Sequence, residues 1–293
     1  FDFGSETYYN ASSTNYIAWT WKAGGNKNTF NKDGVGYATA AAAGLTAGDA
    51  SIVTGSSVGT KQGFSIISYT SAASDAGTAQ IPHGLSQTPD FVVIKNRDTA
   101  TTSQGWPAWH SAVPGKSRAL DNTSGWDATE FSYVFNNTNP TSTVVHVSSN
   151  ASVSSANRYR SYGGSDKFVM YSWHNVPGLQ KFGTYTGNAN GDGMFVELGF
   201  KASIIFFKRS STTSNWVVWS SDGEGHNQYN ALFNYQDWDT SDAEANLNGR
   251  IDVLSNGFKF RDSGFPNDSA TFIYGAWAEA PSIDLYGGGA NAR

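Results

Sequence analysis

Phe168-Val169-Met170-Tyr171-Ser172-Trp173 has two echoes in this chain, Tyr16-Ile17-Ala18-Trp19-Thr20-Trp21 and Phe272-Ile273-Tyr274-Gly275-Ala276-Trp277. Each copy opens on an aromatic residue and closes on Trp five residues later. Each follows a stretch rich in Asn, Ser, Thr and Gly, and each runs into a loop, such as His174-Asn175-Val176-Pro177-Gly178. The composition of the copies, aromatic and β-branched, is that of a strand. A terminal strand that recurs means an array of similar units, and arrays build extended, surface-presenting molecules.

Three further phrases recur in the same order. Phe64-Ser65-Ile66-Ile67-Ser68-Tyr69-Thr70 matches Phe182-Gly183-Thr184-Tyr185-Thr186. Pro89 to Arg97 matches Lys201 to Arg209 residue for residue, which pairs Phe91 with Ser203. Trp106-Pro107-Ala108-Trp109-His110 matches Trp216-Val217-Val218-Trp219-Ser220. The expected organisation is therefore the closing strands of a preceding, truncated repeat over 1–25, a Gly/Ala-rich linker over 26–62, β-sandwich repeats over 63–178 and 179–281, and a C-terminal tail over 282–293. Phe1-Asp2-Phe3 lines up with Phe258-Lys259-Phe260, which suggests the C-terminal part of a longer polypeptide or a processed product.

Within the units, Phe91 to Ile94 and Ile204 to Phe207 are continuous apolar runs, as in strands buried on both faces. Ser255-Asn256-Gly257 carries an Asn-Gly step between strand-like runs, a hairpin signal. Residues 220–249 read as an inserted polar loop. Tyr37 to Leu45 suggests a short helical turn that must pack on a neighbour to persist. No segment carries helical periodicity beyond two turns. Many short strands between frequent turns give an all-β protein of tandem, jelly-roll-like sandwich repeats with little helix.

Composition narrows the function. Of 293 residues 14% are aromatic and only 15% charged, against about a quarter charged in ordinary domains. Hydroxyl and amide groups must therefore keep the surface wet. A net charge of −5 with no basic run argues against nucleic acid as a partner. The chain has no cysteine, which removes disulfides, thiolate zinc sites and cysteine nucleophiles. No apolar run approaches the roughly 20 residues of a membrane helix, so membrane insertion is not expected.

Few constellations suggest chemistry. Asp237, Asp239 and Asp242 alternate in the manner of jelly-roll glycosidase carboxylates, but no strand-forming residues surround them and the first unit shows no counterpart. Asn188-Ala189-Asn190-Gly191-Asp192-Gly193 resembles half a calcium loop, yet the twelfth position is Gly199 rather than a bidentate Glu. The five histidines lack ligand spacing. No catalytic, cofactor-binding or metal residue is assigned, and no cofactor is expected. Among the tryptophans, Trp21, Trp173 and Trp277, like Trp109 and Trp219, recur and are read as structural. Trp106, Trp126 and Trp238 stand among polar residues. With Asp127 and Asp239 they form the candidate glycan-binding set, since an exposed indole beside a carboxylate can stack on a sugar and bond its hydroxyls.

The repeated phrases also carry a resemblance. Tyr16 to Asn31, Gly34-Val35-Gly36-Tyr37-Ala38, His83-Gly84-Leu85, Ile94-Lys95-Asn96-Arg97-Asp98 and Leu254-Ser255-Asn256-Gly257-Phe258-Lys259 resemble segments of repeat-containing virion proteins of marine tailed phages, cyanophages above all. The likeness covers nearly the whole chain. It implies a non-enzymatic virion protein on the particle exterior, a tail fibre or appendage, with other tail or capsid proteins as partners and host surface glycan or lipopolysaccharide as target. A homotrimer is expected, because weak sugar contacts gain from multivalency. The alternatives are a capsid fibre, decoration or spacer protein with no receptor, and, more remotely, a polysaccharide depolymerase.

Overall fold

A computed structural model describes residues 11–12, 16, 18–73, 77–98, 105–149, 161–221 and 231–279. Phe1-Asp2-Phe3 and the tail over 282–293 lie outside the described residues. The first unit contains β1 (Phe30–Lys32), β2 (Val35–Tyr37), β3 (Val53–Gly59), β4 (Phe64–Thr70), β5 (Gly77–Pro82), β6 (Phe91–Asn96), β7 (Pro107–His110) and β8 (Arg118–Ala119). It continues through the helix α1 (Ala128–Val134), β9 (Val144–Ser149) and β10 (Lys167–Trp173). The second unit contains β11 (Gln180–Thr186), β12 (Phe195–Glu197), β13 (Ala202–Arg209), β14 (Val217–Ser220), β15 (Ala231–Asp237), β16 (Ala245–Leu254), β17 (Gly257–Phe260) and β18 (Thr271–Ala278).

These strands form two eight-stranded sheets, ordered β2-β1-β3-β4-β10-β6-β7-β8 and β11-β18-β13-β14-β15-β16-β17-β12, with β5 and β9 as a separate ribbon. The molecule is all-β and sandwich-like. The strands that carry the matched phrases stand in corresponding order, β4-β10-β6-β7 in one sheet and β11-β18-β13-β14 in the other. The closing phrases at 168–173 and 272–277 lie in the central strands β10 and β18, each laddered on both sides.

Three apolar cores follow from the period-2 alternation of these strands. Val92 and Ile94 face one way from β6, into a core closed by α1 and the β5–β9 ribbon. Ile205 and Phe207 of β13 face a second core, over which β17 folds back. The opposite faces meet each other: Phe91 and Val93 join Phe206, Ile273 and Trp277 in a third core between the two sheets. Phe91 lies 5.0 Å from Phe206 and 5.7 Å from Phe182, ring centre to ring centre. Each such aromatic pair adds about 0.5–1.5 kcal/mol beyond its area burial. The runs at 91–94 and 204–207 are apolar on both faces because both faces are covered.

Four expectations change. The 26–62 stretch is no linker, because β1 and β3 pair in parallel, and β3 pairs with β4 and so extends the first sheet. Its Ala-rich centre makes one turn, closed by Ala43 N–H to Thr39 O at 3.2 Å, and buries Leu45 in the first core. The region 220–249 is not a loop throughout. It holds β15 and the start of β16, whose backbones pair despite their polar sequences. The first closing phrase, Tyr16 to Trp21, belongs to no sheet among its described residues. Finally, the ladder sets Phe91 and Ile204 opposite Trp173 and Trp277, so Phe91 corresponds to Ile204 and not to Ser203. A register shift between Ala202 and Ile204 absorbs the extra residue, as a bulge does. The hairpin at 255–256 forms, with Leu254 opposite Gly257.

Candidate functional site: two lysine–tryptophan–aspartate faces

With the register fixed, β6 and β13 each carry a lysine as their penultimate residue, Lys95 and Lys208, in corresponding positions. Each lysine lies over the Trp that precedes the next strand: Lys95 Nζ is 5.2 Å from the Trp106 ring and Lys208 Nζ 5.9 Å from the Trp216 ring. Each Trp backbone N–H donates to an aspartate at 3.2 Å, Trp106 to Asp121 and Trp216 to Asp239. Each Trp carbonyl accepts a 2.9 Å bond from the residue before that aspartate, Leu120 or Trp238. The first unit therefore does hold a counterpart of Asp239. It escaped sequence reading because Leu120-Asp121 shares too little with Trp238-Asp239.

The two faces differ in what covers them. Trp216 is fully buried and Trp106 is 39% exposed. The cover on Trp216 is the first unit's own loop after β8. Trp216 Nε1 donates to Ala119 O at 3.0 Å, Lys208 Nζ donates to Thr123 O at 2.7 Å and to Ser214 O, and Trp126 packs on Trp216 at 5.6 Å. Gly125 permits the approach, since a Cβ there would meet Ser211 O at 2.9 Å. Burial pulls the Lys208 ammonium down to about 8, against an opposing pull from Asp239. Burial lowers Lys95 as well, with Asp121 opposing.

The covering loop is anchored from behind. Asp127 caps α1, accepting from Glu130 N–H at 2.7 Å. Buried Glu130 pairs with Arg118 at 2.8 Å, and Arg118 Nε donates to Gly125 O at 2.8 Å. Desolvation pushes Glu130 up to about 7, with Arg118 acting the other way.

This geometry revises the glycan set. Trp126 is 6% exposed and sits in the core between the sheets, and Asp127 is spent on the helix cap, so neither presents a sugar-binding face. Trp238 is half-buried, 5.3 Å from Phe206, and Asp239 holds Trp216 N–H. Of the five residues, Trp106 alone exposes a large apolar surface. Asp237 accepts from Asn215 at 2.7 Å, and burial raises both Asp237 and Asp239. A cleft of about 370 Å³ of mixed lining, with Arg209, Asp237 and Arg250 beside Val217, Tyr235 and Phe265, was not legible in the sequence, because its arginines lie 41 positions apart on different strands.

The calcium-like loop is tied by an amide instead. Asn267 Nδ2 donates to Asn188 Oδ1, Asn190 O and Asp262 O within 2.9 Å, and Asp192 pairs with Lys259. Among the described residues no group of three His, Asp or Glu is placed to hold a metal. His83 and His110 are buried and neutral, each accepting a backbone N–H at Nδ1 and facing a carbonyl with Nε2. His226 lies outside the described residues. No described helix is long and apolar enough to cross a membrane.

Fold and faces together define an all-β protein in which two large sheets share one aromatic seam. The chain belongs to the family described as domain of unknown function DUF7483, whose model matches residues 1–281. No curated protein and no solved structure matches it.

Proposed function

We propose that this chain is a structural component of the exterior of a tailed-phage particle, a tail fibre or appendage, and not an enzyme. One observation carries the reading: the matched halves of the two sheets are fused face to face through a continuous aromatic core. Such a seam makes neighbouring units one stiff body, as an appendage requires. The phage setting itself comes from the resemblance of the repeated phrases. Immunogold labelling with antibody to the chain, on particles of the phage that encodes it, is expected to decorate the particle surface. Particles free of label and of the chain's peptides would sink the proposal.

A second reading adds contact with host-surface glycan, favoured by the exposure of Trp106. Fluorescent chain 1–293 would then bind host cells saturably, compete with phage, and lose binding as Trp106→Ala. Folded protein that fails to bind leaves the structural role, as spacer or decoration, standing alone.

A further inference from the structure

The cleft beside Asp237 belongs to the second unit's outer wall. Arg209 comes from the end of β13, Asn215 from just ahead of β14, Tyr235 and Asp237 from β15, Arg250 from β16, and Phe265 from the segment before β18. Val217, Tyr235 and Phe265 give it an apolar floor continuous with the second core. The first unit is built otherwise here. At the position of Arg209 it has Asn96, whose amide donates to Asp166 at 2.7 Å, and α1 and the β5–β9 ribbon close its core.

The polar groups around this floor are held in place by the chain itself. Arg209 Nη2 pairs with Asp268 at 2.7 Å, and its guanidinium lies 5.4 Å from the centre of the Phe265 ring. Arg250 Nη1 donates to Phe265 O at 3.0 Å, and its Nε faces Asp262 at 3.6 Å. Asn215 Nδ2 donates to Asp237 at 2.7 Å. Each arginine therefore has an aspartate of its own, and the cleft carries no surplus positive charge to draw an anion. Among the described residues, Arg250 Nη2 donates to nothing, Asn215 Oδ1 accepts from nothing, and the Tyr235 hydroxyl does neither. Burial raises Tyr235, with Asp237 acting the same way, so its phenol keeps the proton it would donate.

A donor, an acceptor and a group that is both, set around an apolar floor, complement a neutral molecule with several hydroxyls and one apolar face. A pyranose ring has that character. A carboxylate or phosphate would set oxygen against Asn215 Oδ1, and an ammonium would meet two guanidiniums. A peptide adding as a strand would need a sheet edge, and β13 to β16 are laddered on both sides. The volume of about 370 Å³ lies in the range of small-ligand clefts and admits about one or two sugar rings. We propose that this cleft binds a neutral saccharide, with Tyr235, Asn215 and Arg250 taking its hydroxyls and Phe265 lying against the ring. The assignment goes beyond the structural reading above and needs neither the phage setting nor Trp106.

Saturation-transfer NMR on chain 1–293 tests it, with the methyl glycosides of glucose, galactose, mannose and rhamnose as neutral probes and galacturonate as the charged one. At least one neutral glycoside is expected to take up saturation on its ring protons, with a Kd on the order of 1–10 mM. Tyr235→Phe keeps the ring and removes the hydroxyl, and should weaken that binding about 2–10-fold. Arg250→Gln should weaken it about 10-fold or more, since it deletes a charged donor. If Arg250→Gln fails to fold, Tyr235→Phe still decides, because the Tyr235 hydroxyl has no partner to lose among the described residues. The proposal is overturned if no neutral glycoside takes up saturation at about ten times that concentration, or if galacturonate alone does. It is equally overturned if Tyr235→Phe and Arg250→Gln both bind as the unsubstituted chain does. Loss of that same binding in Trp106→Ala would then put the sugar on the first unit's Trp106, as the second reading above has it.

Discussion

The two units share one half and differ in the other. The shared half is β4-β10-β6-β7 against β11-β18-β13-β14, and these strands build the seam between the sheets. The outer half is where they part. The first unit closes its core with α1 and the β5–β9 ribbon, whereas the second continues its sheet through β15, β16 and β17 to β12. The local cause is readable: Phe131, Val134 and Phe135 recur at helical spacing behind the Asp127 cap, and all three face the core. The difference teaches that the seam is the constrained surface, because each seam residue must fit both a neighbour on its own sheet and the facing sheet. A residue of the outer wall need only cover apolar area.

The sharpest break between the units is at the matched tryptophans. Trp216→Ala is expected to cost about 5 kcal/mol, since it opens a cavity and strands the buried Lys208 beside it. Trp106→Ala in chain 1–293 is expected to cost about 1 kcal/mol or less, as an exposed site does. Urea unfolding of the two variants measures both, and equal costs would end the distinction between a covered and an open face. Next in size is Arg118→Ala, at about 3 kcal/mol above neutral pH, because it leaves the Glu130 carboxylate buried and unpaired. Glu130 takes up a proton more readily folded than unfolded, so stability falls as pH rises from about 4.5 through about 7. The Arg118→Ala cost should therefore shrink at pH 5. A cost that does not change between pH 5 and pH 8 would show that Glu130 stays ionised whether paired or not.

Much of the shared half was legible in the sequence, and little of the outer half. The strand phrases at 168–173 and 272–277 could be read because aromatic and β-branched residues crowd into these two central strands, whose faces are both covered. The outer wall escaped because β15 and β16 are held by backbone pairing, with polar side chains such as Asn234 and Asn246 bonded across the ladder. Polar strands and polar loops look alike in composition. The fates of Trp126 and Trp106 were equally hidden: both stand beside Gly in polar surroundings, and only the path of the 119–126 loop buries one and leaves the other open.

Acid should separate the units in another way. His110 Nε2 faces Tyr274 O across the seam at 3.1 Å, whereas the second unit has Ser220 at the corresponding position. Burial pulls His110, and His83 within the first unit, down to about 4. The unfolded chain binds these protons near pH 6.5, so each histidine removes about 1.4 kcal/mol of stability per pH unit as pH falls from about 6.5 to about 4. Glu130 acts in the opposite sense over part of this range, so the readout is a difference: in urea unfolding between pH 7 and pH 4, the stability of His110→Gln relative to the unsubstituted chain should rise by about 1.4 kcal/mol per pH unit as pH falls. A slope unchanged by His110→Gln would place the acid-sensitive group elsewhere.

The smallest predicted effect tests the likeness instead of the difference. Tyr69 and Tyr185 occupy matched positions on β4 and β11. Each stacks on the opening Phe of a closing phrase, Tyr69 on Phe168 at 5.3 Å and 12°, Tyr185 on Phe272 at 5.2 Å and 11°. Each hydroxyl donates to a carbonyl just ahead of the closing strand, Ser161 O at 2.6 Å or Pro266 O at 2.8 Å. Removing the hydroxyl keeps the ring and its stack and deletes one buried hydrogen bond, so Tyr69→Phe and Tyr185→Phe should each cost about 1 kcal/mol. The two sites share no partner, so the double variant should cost the sum within about 0.5 kcal/mol. Matched costs would mean that the tyrosine clasp is part of the common strand framework, however differently each unit closes its outer wall. If one substitution proved neutral and the other cost 2 kcal/mol or more, the wall would govern the clasp, and the likeness would stop at the seam.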